Sequence, residues 1–169
     1  MQNPQLYDNN PGTDIILQGD IFPEIDFFLS NSEVNPDKIR QFQISEKRLI
    51  SVLSQTCDIS DNEFIVVGPV YTIDEYVAKS EQKGENPNKI SSNVGYIKSR
   101  KGLLDKFYLN YIEITNGVPK ECYVDLQQIN TVNKNMFPLK NRIASLSHWG
   151  RQLLNYQLIW VYGRPVIDW

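Results

Sequence analysis

The segment Ser54-Gln55-Thr56-Cys57-Asp58 places a thiol beside a carboxylate, two hydroxyls and an amide. Cys57 would be a poor nucleophile there, because the neighbouring negative charge of Asp58 disfavours the thiolate that attack requires. A thiol hydrolase would need His148, the only histidine of the chain, as its base. The alternative is that Cys57 is a small buried apolar side chain and that Asp58 caps a turn before Asn62.

A second candidate site is the polar, basic stretch that begins at residue 83. Its basic side chains are interleaved with Tyr96, Phe107 and Tyr108, so the stretch could bind phosphates and stack on bases. The alternative is a solvated loop without a ligand. The RNA-binding residues predicted from this pattern are Lys89, Lys98, Arg100, Lys101 and Lys106.

Composition limits the class of protein. The 169 residues include 17 Lys and Arg, 20 Asp and Glu, two Cys and 41% hydrophobic residues, which is typical of one domain with a real core. No run approaches the roughly 18–20 apolar residues of a bilayer span, and the start lacks a signal peptide, so we expect a cytoplasmic protein without membrane contact. Cys57 and Cys122 are expected to be free thiols. With one histidine, a Cys/His zinc site lacks ligands, and neither metal nor cofactor is predicted.

The elements that must position these residues are mostly short strands. Branched apolar runs at 48–54 and 64–70 predict two buried strands joined by a loop. A strand-like run at 14–22 should bend at Gly19. The stretches 103–114 and 121–126 flank Asn116-Gly117, which favours a hairpin.

Two helices and two irregular segments are also predicted. Thr72 and Glu75 form a capping box that favours a helix over 73–82. Apolar spacing by threes and fours predicts an amphipathic helix over 141–163, with Asn141 as its N-cap. Residues 1–12 should be a loose terminus and 23–46 a long connection. Short links between strands argue for a small antiparallel barrel or curled sheet that carries helices.

Five stretches, in this order, resemble the MazF/PemK toxin family. The family opens with Gly-Asp-Ile/Val, continues through Arg-Pro-Val-Leu-Val-Leu-Ser and Ala-Pro-Ile-Thr, and closes with Asp-Gln-Ile-Arg-Thr-Val-Asp-Lys ahead of Arg-Ile-Gly-Lys-Leu-Ser. The segment at Gln55, Cys57 and Asp58 is similar to a motif of a longer branch of this family. The matching stretches of this chain are 19–22, 48–54, 66–70, 124–134 and 142–147.

The resemblance implies a single domain over 1–169 with an SH3-like barrel, enlarged at 74–118 and ending in the helix 141–163. It further implies a homodimer that acts as a metal-independent endoribonuclease on single-stranded RNA and is restrained by an antitoxin. Arg48 would be the cation that stabilises the phosphorus-centred transition state. The family's second catalytic residue, a Thr, is replaced here by Tyr71, and Thr72 follows it, so either would lie near the 2′-OH.

An alternative reading of the same resemblance is a barrel that has lost catalysis. Such a barrel would serve as a protein-interaction or regulatory component of a toxin–antitoxin or phage-defence system. The charge distribution favours this alternative: residues 1–37 hold seven acids and no Lys or Arg, whereas the remainder holds all 17 basic groups and 13 acids. An acidic loop near Arg48 would repel phosphate or cover the site.

Overall fold

The computed structural model describes residues 5–8, 14–31, 42–114 and 118–163, and for 27–31, 42–45 and 114 it describes the backbone alone. Four α-helices and six strands lie in these ranges, with 3-10 turns at Lys134–Met136 and Leu139–Asn141. The strands are β1 Ile21–Asn31, β2 Phe42–Val52, β3 Phe64–Thr72, β4 Lys106–Ile114, β5 Val118–Asp125 and β6 Asn130–Asn133. The helices are α1 Thr56–Asp61, α2 Ile73–Gln82, α3 Pro87–Ser99 and α4 His148–Tyr162.

The strands form one antiparallel sheet in the order β1-β2-β3-β5-β4, and β6 also pairs with β3. The first half of β3 pairs with β2 and β6, and its second half, from Val70, pairs with β5. The change of partner occurs between Pro69 and Val70, next to Gly68, where an added Cβ would lie 2.9 Å from Val124 Cγ1. Within the described ranges no ladder joins β1 to β4, so the sheet is open, and the prediction of a closed SH3-like barrel is not confirmed.

The predicted connection over 23–46 is wrong for its described residues, because β1 and β2 extend through both ends of it. The two strands pair from Ile21↔Ser51 to Asn31↔Phe42, with a shift of register between Phe22 and Ile25. Pro23 lies inside this irregularity, where its missing N–H costs no ladder hydrogen bond. The predicted β4–β5 hairpin is confirmed as a pair of strands, and its Asn116-Gly117 turn lies outside the described residues.

The helix predicted over 73–82 is confirmed as α2, and it carries the predicted capping box. By contrast, the basic stretch that was predicted as a loop contains the helix α3. Asn86 caps this helix, since its side chain accepts from the backbone N–H of Asn88, and Pro87 occupies the first turn. The helix ends at Arg100, whose left-handed φ of 55° stops the helical path.

The predicted start of the last helix at Asn141 is wrong. Ser147 is the N-cap, and its side chain accepts from the N–H of Gly150. The residues before it are extended because they form a single antiparallel bridge with the start of β1: Ile21 N–H donates to the carbonyl of Ala144 at 2.8 Å, and Ile143 N–H donates to the carbonyl of Ile21 at 2.8 Å. These non-local bonds override the local helical spacing.

Residues 5–8 are also held to this segment, so the prediction of a loose terminus is wrong for them. Tyr7 forms a bridge with Leu146, and Asp8 N–H donates to the carbonyl of Ser145 at 2.9 Å. Leu6 is buried in the main hydrophobic cluster with Ile21 and Leu146. The remaining residues of 1–12 lie outside the described ranges.

A fully buried carboxylate, that of Asp20, lies where the start of β1 meets the segment before α4. It accepts hydrogen bonds from Leu17 N–H at 2.8 Å, from Arg142 Nη1 at 2.9 Å and from the Ser145 hydroxyl at 2.5 Å. Gly19 precedes it with a φ of +80°, and a Cβ there would lie 2.4 Å from a methyl group of Leu146. The stretches 19–22 and 142–147, distant in sequence, therefore form one structural unit.

We expect Asp20→Ala to lower the free energy of unfolding by about 3 kcal/mol, because it leaves the buried guanidinium of Arg142 without its counter-ion. Urea denaturation followed by circular dichroism measures this change. The control is Asp26→Ala, which removes an exposed acid from β1 and should change stability by less than about 0.5 kcal/mol. If both substitutions changed the free energy of unfolding equally, the buried pair of Asp20 and Arg142 would not be the source of the stability.

Candidate functional site

Three neighbouring elements, β2, β3 and α2, bring the predicted residues Arg48, Tyr71 and Thr72 together. The Cζ atom of Arg48 lies 4.6 Å from the centroid of the Tyr71 ring. Thr72 is the last residue of β3 and the N-cap of α2. We call Glu46, Arg48, Tyr71, Glu75 and Lys79 the arginine cluster.

Two carboxylates hold the guanidinium of Arg48. Its Nε and Nη2 donate to Glu46 Oε2 at 2.9 and 2.6 Å, and its Nη1 donates to Glu75. Glu46 and Arg48 are two positions apart on β2, so their side chains project from the same face of the sheet. Burial lowers the pKa of Arg48, but the hydrogen bonds and charges of the two carboxylates outweigh it and raise that pKa above its usual value. Arg48 is therefore a fixed cation.

Thr72 acts locally as a helix cap. Its hydroxyl accepts from the backbone N–H of Glu75 at 3.1 Å, and its own N–H donates to Glu75 Oε2 at 2.8 Å. Burial raises the pKa of Glu75, but the hydrogen bonds from Thr72 and Arg48 outweigh it and leave the pKa below the ordinary value of 4.5. Glu75 thus joins the capping box to Arg48, and it is ionised at neutral pH.

Tyr71 forms the buried floor of the cluster. Its ring stacks on that of Tyr123 at 5.7 Å, and its hydroxyl donates to Gln128 Oε1 at 2.8 Å. Burial raises the pKa of Tyr71 to about 12, despite the opposing charge of Arg48. The phenol is therefore protonated at neutral pH, where it positions groups and cannot serve as a base.

Two lysines lie close to the rings of Tyr71 and Tyr123. The ammonium of Lys79, an exposed residue of α2, lies 4.4 Å from the centroid of the Tyr71 ring. Lys106 lies 6.0 Å from the ring of Tyr123 and pairs with Asp105 at 2.6 Å. Because Tyr123 stacks on Tyr71, this ring contact links Lys106 to the arginine cluster. In the described structure, no other member of the predicted RNA-binding set has a contact of this kind with Tyr71 or Tyr123.

The other basic side chains of that set lie on α3 and just after it. Lys89 pairs with Glu85 at 3.5 Å, and Lys98 pairs with Glu121 at 2.7 Å. Lys101 is exposed. Pairing with acids lowers the positive charge that this surface offers to a phosphate chain.

Arg100 is held against the sheet. Its guanidinium carbon lies 5.5 Å from the ring of Phe107 and 5.6 Å from that of Tyr108, and Nη2 donates to the carbonyl of Tyr108 at 2.7 Å. Burial lowers the pKa of Arg100 below its usual value, and Tyr108 and Tyr7 oppose this. These contacts indicate that Arg100 anchors the end of α3.

The motif residues Gln55, Cys57 and Asp58 lie at and within α1. Cys57 is exposed, so its interpretation as a buried apolar side chain is wrong, whereas Cys122 is buried. The Cys57 thiol donates to Asp58 Oδ1 at 3.7 Å and to Gln55 Oε1 at 3.8 Å. It lines a small cavity together with His148. Cys57 is exposed because the short helix α1, which follows β2, turns the motif outward.

Sequence reasoning missed Glu46 and Lys79 as members of the cluster. The signal for Glu46 was its position two residues before Arg48, but it was hidden because 23–46 was interpreted as a connection. Lys79 follows Glu75 by four positions on the predicted helix, so both lie on one face of α2. The acidic segment that was expected to cover Arg48 includes Glu33 and Asp37, which lie outside the described residues. Asp20 of the same segment forms an ion pair with Arg142 instead.

Comparisons with known proteins gave matches among solved structures alone. No family model matches the chain, and no curated protein matches it. Among solved structures, the chain is similar to the crystal structure of MazF (Form-I) from Deinococcus radiodurans, with 11% identity and a TM-score of 0.41. The similarity covers 89% of this chain and 98% of that chain. In the described residues, no helix is long and apolar enough to span a bilayer.

We expect Glu75→Gln to reduce the loss of stability in acid. Because the folded-state pKa of Glu75 lies below 4.5, its ionised form adds stability that is complete above that pH and is lost as the pH falls through the folded-state value. Thermal melting at a series of pH values between about 6 and 3 measures this. The melting temperature of the native protein should fall more steeply than that of the variant, and superimposable pH profiles would contradict the coupling.

Proposed function

We propose that the chain is a metal-independent endoribonuclease that acts on single-stranded RNA through the arginine cluster. The observation that carries the proposal is the fixed guanidinium of Arg48 beside the partly exposed carboxylate of Glu46. A cation and a base in contact are the two groups that 2′-OH attack on the adjacent phosphate requires. The resemblance of the sequence to the MazF/PemK family supports the same reaction.

In this proposal Glu46 is the general base. Its side chain is 37% exposed and, in the described structure, Arg48 engages its Oε2 alone, whereas Glu75 accepts from Arg48 at Oε1 and from Thr72 at Oε2. Tyr71, protonated and bonded to Gln128, supports the cluster from below. Thr72 is the N-cap of α2 and stabilises that helix. The 2′ oxygen then attacks phosphorus, the 5′ oxygen leaves with a proton from solvent, and the product carries a 2′,3′-cyclic phosphate.

The phosphate would be held by Arg48 and Lys79. A guanidinium has five N–H donors, and three hydrogen bonds of Arg48 go to the two carboxylates, so two N–H donors have no hydrogen-bond partner among the described residues and would bind the phosphate in this proposal. Lys79 lies beside the same ring and adds a second positive charge. Together they would oppose the negative charge that grows on the phosphorane.

The proposed chemistry predicts specific losses of cleavage. On a long mixed-sequence RNA in EDTA, Arg48→Ala should reduce the rate by about 100-fold or more, as does removal of a donor from a preorganised anion site. Glu46→Gln keeps the shape and removes the base, and it should also cost about 100-fold. Gel analysis of RNA cut by equal amounts of folded protein measures both rates.

Lys47→Ala is the matched control for these two variants. Lys47 lies between Glu46 and Arg48 on β2, is exposed, and projects from the opposite face of the strand. It should cut at the native rate. If the native protein does not cut RNA, or if all three variants cut equally, the arginine cluster is not a ribonuclease site.

A second candidate function is that of a protein-interaction component, and the exposed apolar face of α4 favours it. Tyr156 and Trp160, four positions apart on one face of this helix, are each more than half exposed. An apolar surface on one helix of a small domain is typical of an interface with another chain. The partners implied by the family resemblance are a second copy of the chain and an antitoxin.

We expect this face to join two copies of the chain. Light scattering should then give twice the mass of 19.6 kDa, and Tyr156→Asp should shift the protein to a monomer, because it places a charge in an apolar contact. Lys140→Asp, on a 3-10 turn outside α4, is the control. A native monomer at all concentrations would contradict a homodimer through α4.

A further inference from the structure

A cleft with two compartments lies between α1 and α4. The larger compartment has a volume of about 470 Å³, and the smaller one has about 220 Å³. The larger volume falls within the range of about 300–1,000 Å³ that is typical of small-molecule sites. Both compartments are lined by Gln18, Gln55 and Asn155, and neither includes a residue of the arginine cluster.

The boundary between the compartments is a fixed pair of amides. Gln18 is almost fully buried, and its Nε2 donates to the carbonyl of Leu53 at 2.8 Å and to Asn155 Oδ1 at 2.9 Å. Because Asn155 Oδ1 accepts this bond, its Nδ2 is oriented as a donor. The amide pair is thus held in one orientation before any ligand arrives.

Gln55 adds a third amide, whose Oε1 accepts from the Cys57 thiol at 3.8 Å. It occupies the N-cap of α1, yet its side chain makes no capping hydrogen bond. Asn, Asp, Ser and Thr are the residues preferred at this position, so Gln55 does not stabilise the helix as they would. Its side chain lines both compartments, where it can donate and accept.

The two compartments differ in chemistry. Arg151 and His148 line the smaller one, which has no carboxylate among its described lining residues, and Arg151 Nη1 is oriented by the carbonyl of Leu146 at 2.6 Å. The larger compartment has an apolar wall that includes Ile159 and Tyr162, and one carboxylate, that of Asp58. The cleft therefore offers a cation at one end, amides in the middle and an aromatic wall at the other end.

We infer that this cleft binds a nucleoside monophosphate unit. The phosphate would lie in the smaller compartment against Arg151, since guanidinium and phosphate form paired charge-assisted hydrogen bonds. The base would lie against Tyr162, with its edge bonded to Gln55 and Asn155, as amides and aromatic rings recognise unstacked bases. The unit is either a free nucleotide or the 5′-terminal nucleotide of an RNA.

The exposed thiol of Cys57 reports on this cleft. Cys57 lines the smaller compartment, whereas Cys122 is fully buried and serves as an internal control. The rate of Cys57 alkylation by iodoacetamide would be measured with AMP, GMP, CMP and UMP, with a 5′-phosphorylated RNA trinucleotide, and with ribose 5-phosphate. Calorimetry with the same compounds gives the dissociation constants.

At least one nucleotide or the trinucleotide should slow alkylation severalfold and bind more tightly than ribose 5-phosphate, which lacks the base. Protection by a mononucleotide identifies a free nucleotide as sufficient, and protection by the trinucleotide alone identifies an RNA end. Gln55→Ala and Arg151→Gln should each weaken binding by about tenfold. Lys140→Gln, outside the cleft, should not.

Gln55→Ala removes no capping bond, and a native melting temperature for each variant confirms its fold. Three results would overturn the inference. They are the absence of binding by every base-containing compound at millimolar concentration, equal binding of ribose 5-phosphate and nucleotides, and native affinity in both cleft variants. Loss of RNA cleavage in Arg48→Ala with nucleotide binding intact would separate this cleft from the proposed catalytic function.

Discussion

The carboxylate of Asp20 is fully buried, and a charge that has left water must receive its hydrogen bonds from the protein. Arg142 and Ser145 supply two of them from a segment far along the chain, and Leu17 supplies another. This requirement fixes the segment before α4 against the start of β1. The direction of α4, and therefore the cleft between α4 and α1, follows from that attachment.

The same segment explains why a helical pattern gave an extended structure. Ile143 and Leu146 have the spacing of a helix face, but the backbone around them pairs with Ile21 and Tyr7. Local preference is worth a few tenths of a kcal/mol per residue, whereas a buried ion pair left unmade costs several. The helix therefore begins only at Ser147, where a hydroxyl caps it.

Much of the fold follows from local signals, and the rest depends on contacts that a single sequence does not reveal. The capping box of Thr72 and Glu75 predicted α2 to the residue. α3 was missed although Pro87 is a good first-turn residue, because the stretch is polar and contains Gly95. The outward position of Cys57 depends on the short helix α1, for which the sequence has no strong cap.

In the candidate site, the sequence predicted that certain residues lie near one another but did not predict their hydrogen-bond and ion-pair partners. The order of the matching stretches predicted that Arg48 and Tyr71 belong to one site, and the ring of Tyr71 does lie beneath the guanidinium. The partners of Arg48 were not predictable, because Glu75 reaches it from α2 and Glu46 lay in a segment interpreted as a connection. Charge balance is set by such tertiary contacts. Because two carboxylates surround one arginine, the arrangement fits two roles. One is a catalytic base beside a cation, and the other is a neutralised ion pair that stabilises the fold.

The dependence of cleavage on the 2′-OH distinguishes these two roles most directly. A defined oligonucleotide with a single cleaved linkage would be compared with the same oligonucleotide that carries a 2′-deoxy nucleotide on the 5′ side of that linkage. With Glu46 as base and Arg48 as cation, the deoxy substitution should abolish cleavage at that linkage, and the ribose version should give a 2′,3′-cyclic phosphate. Equal cleavage of both oligonucleotides, or cleavage of neither, would contradict the proposed role of the arginine cluster.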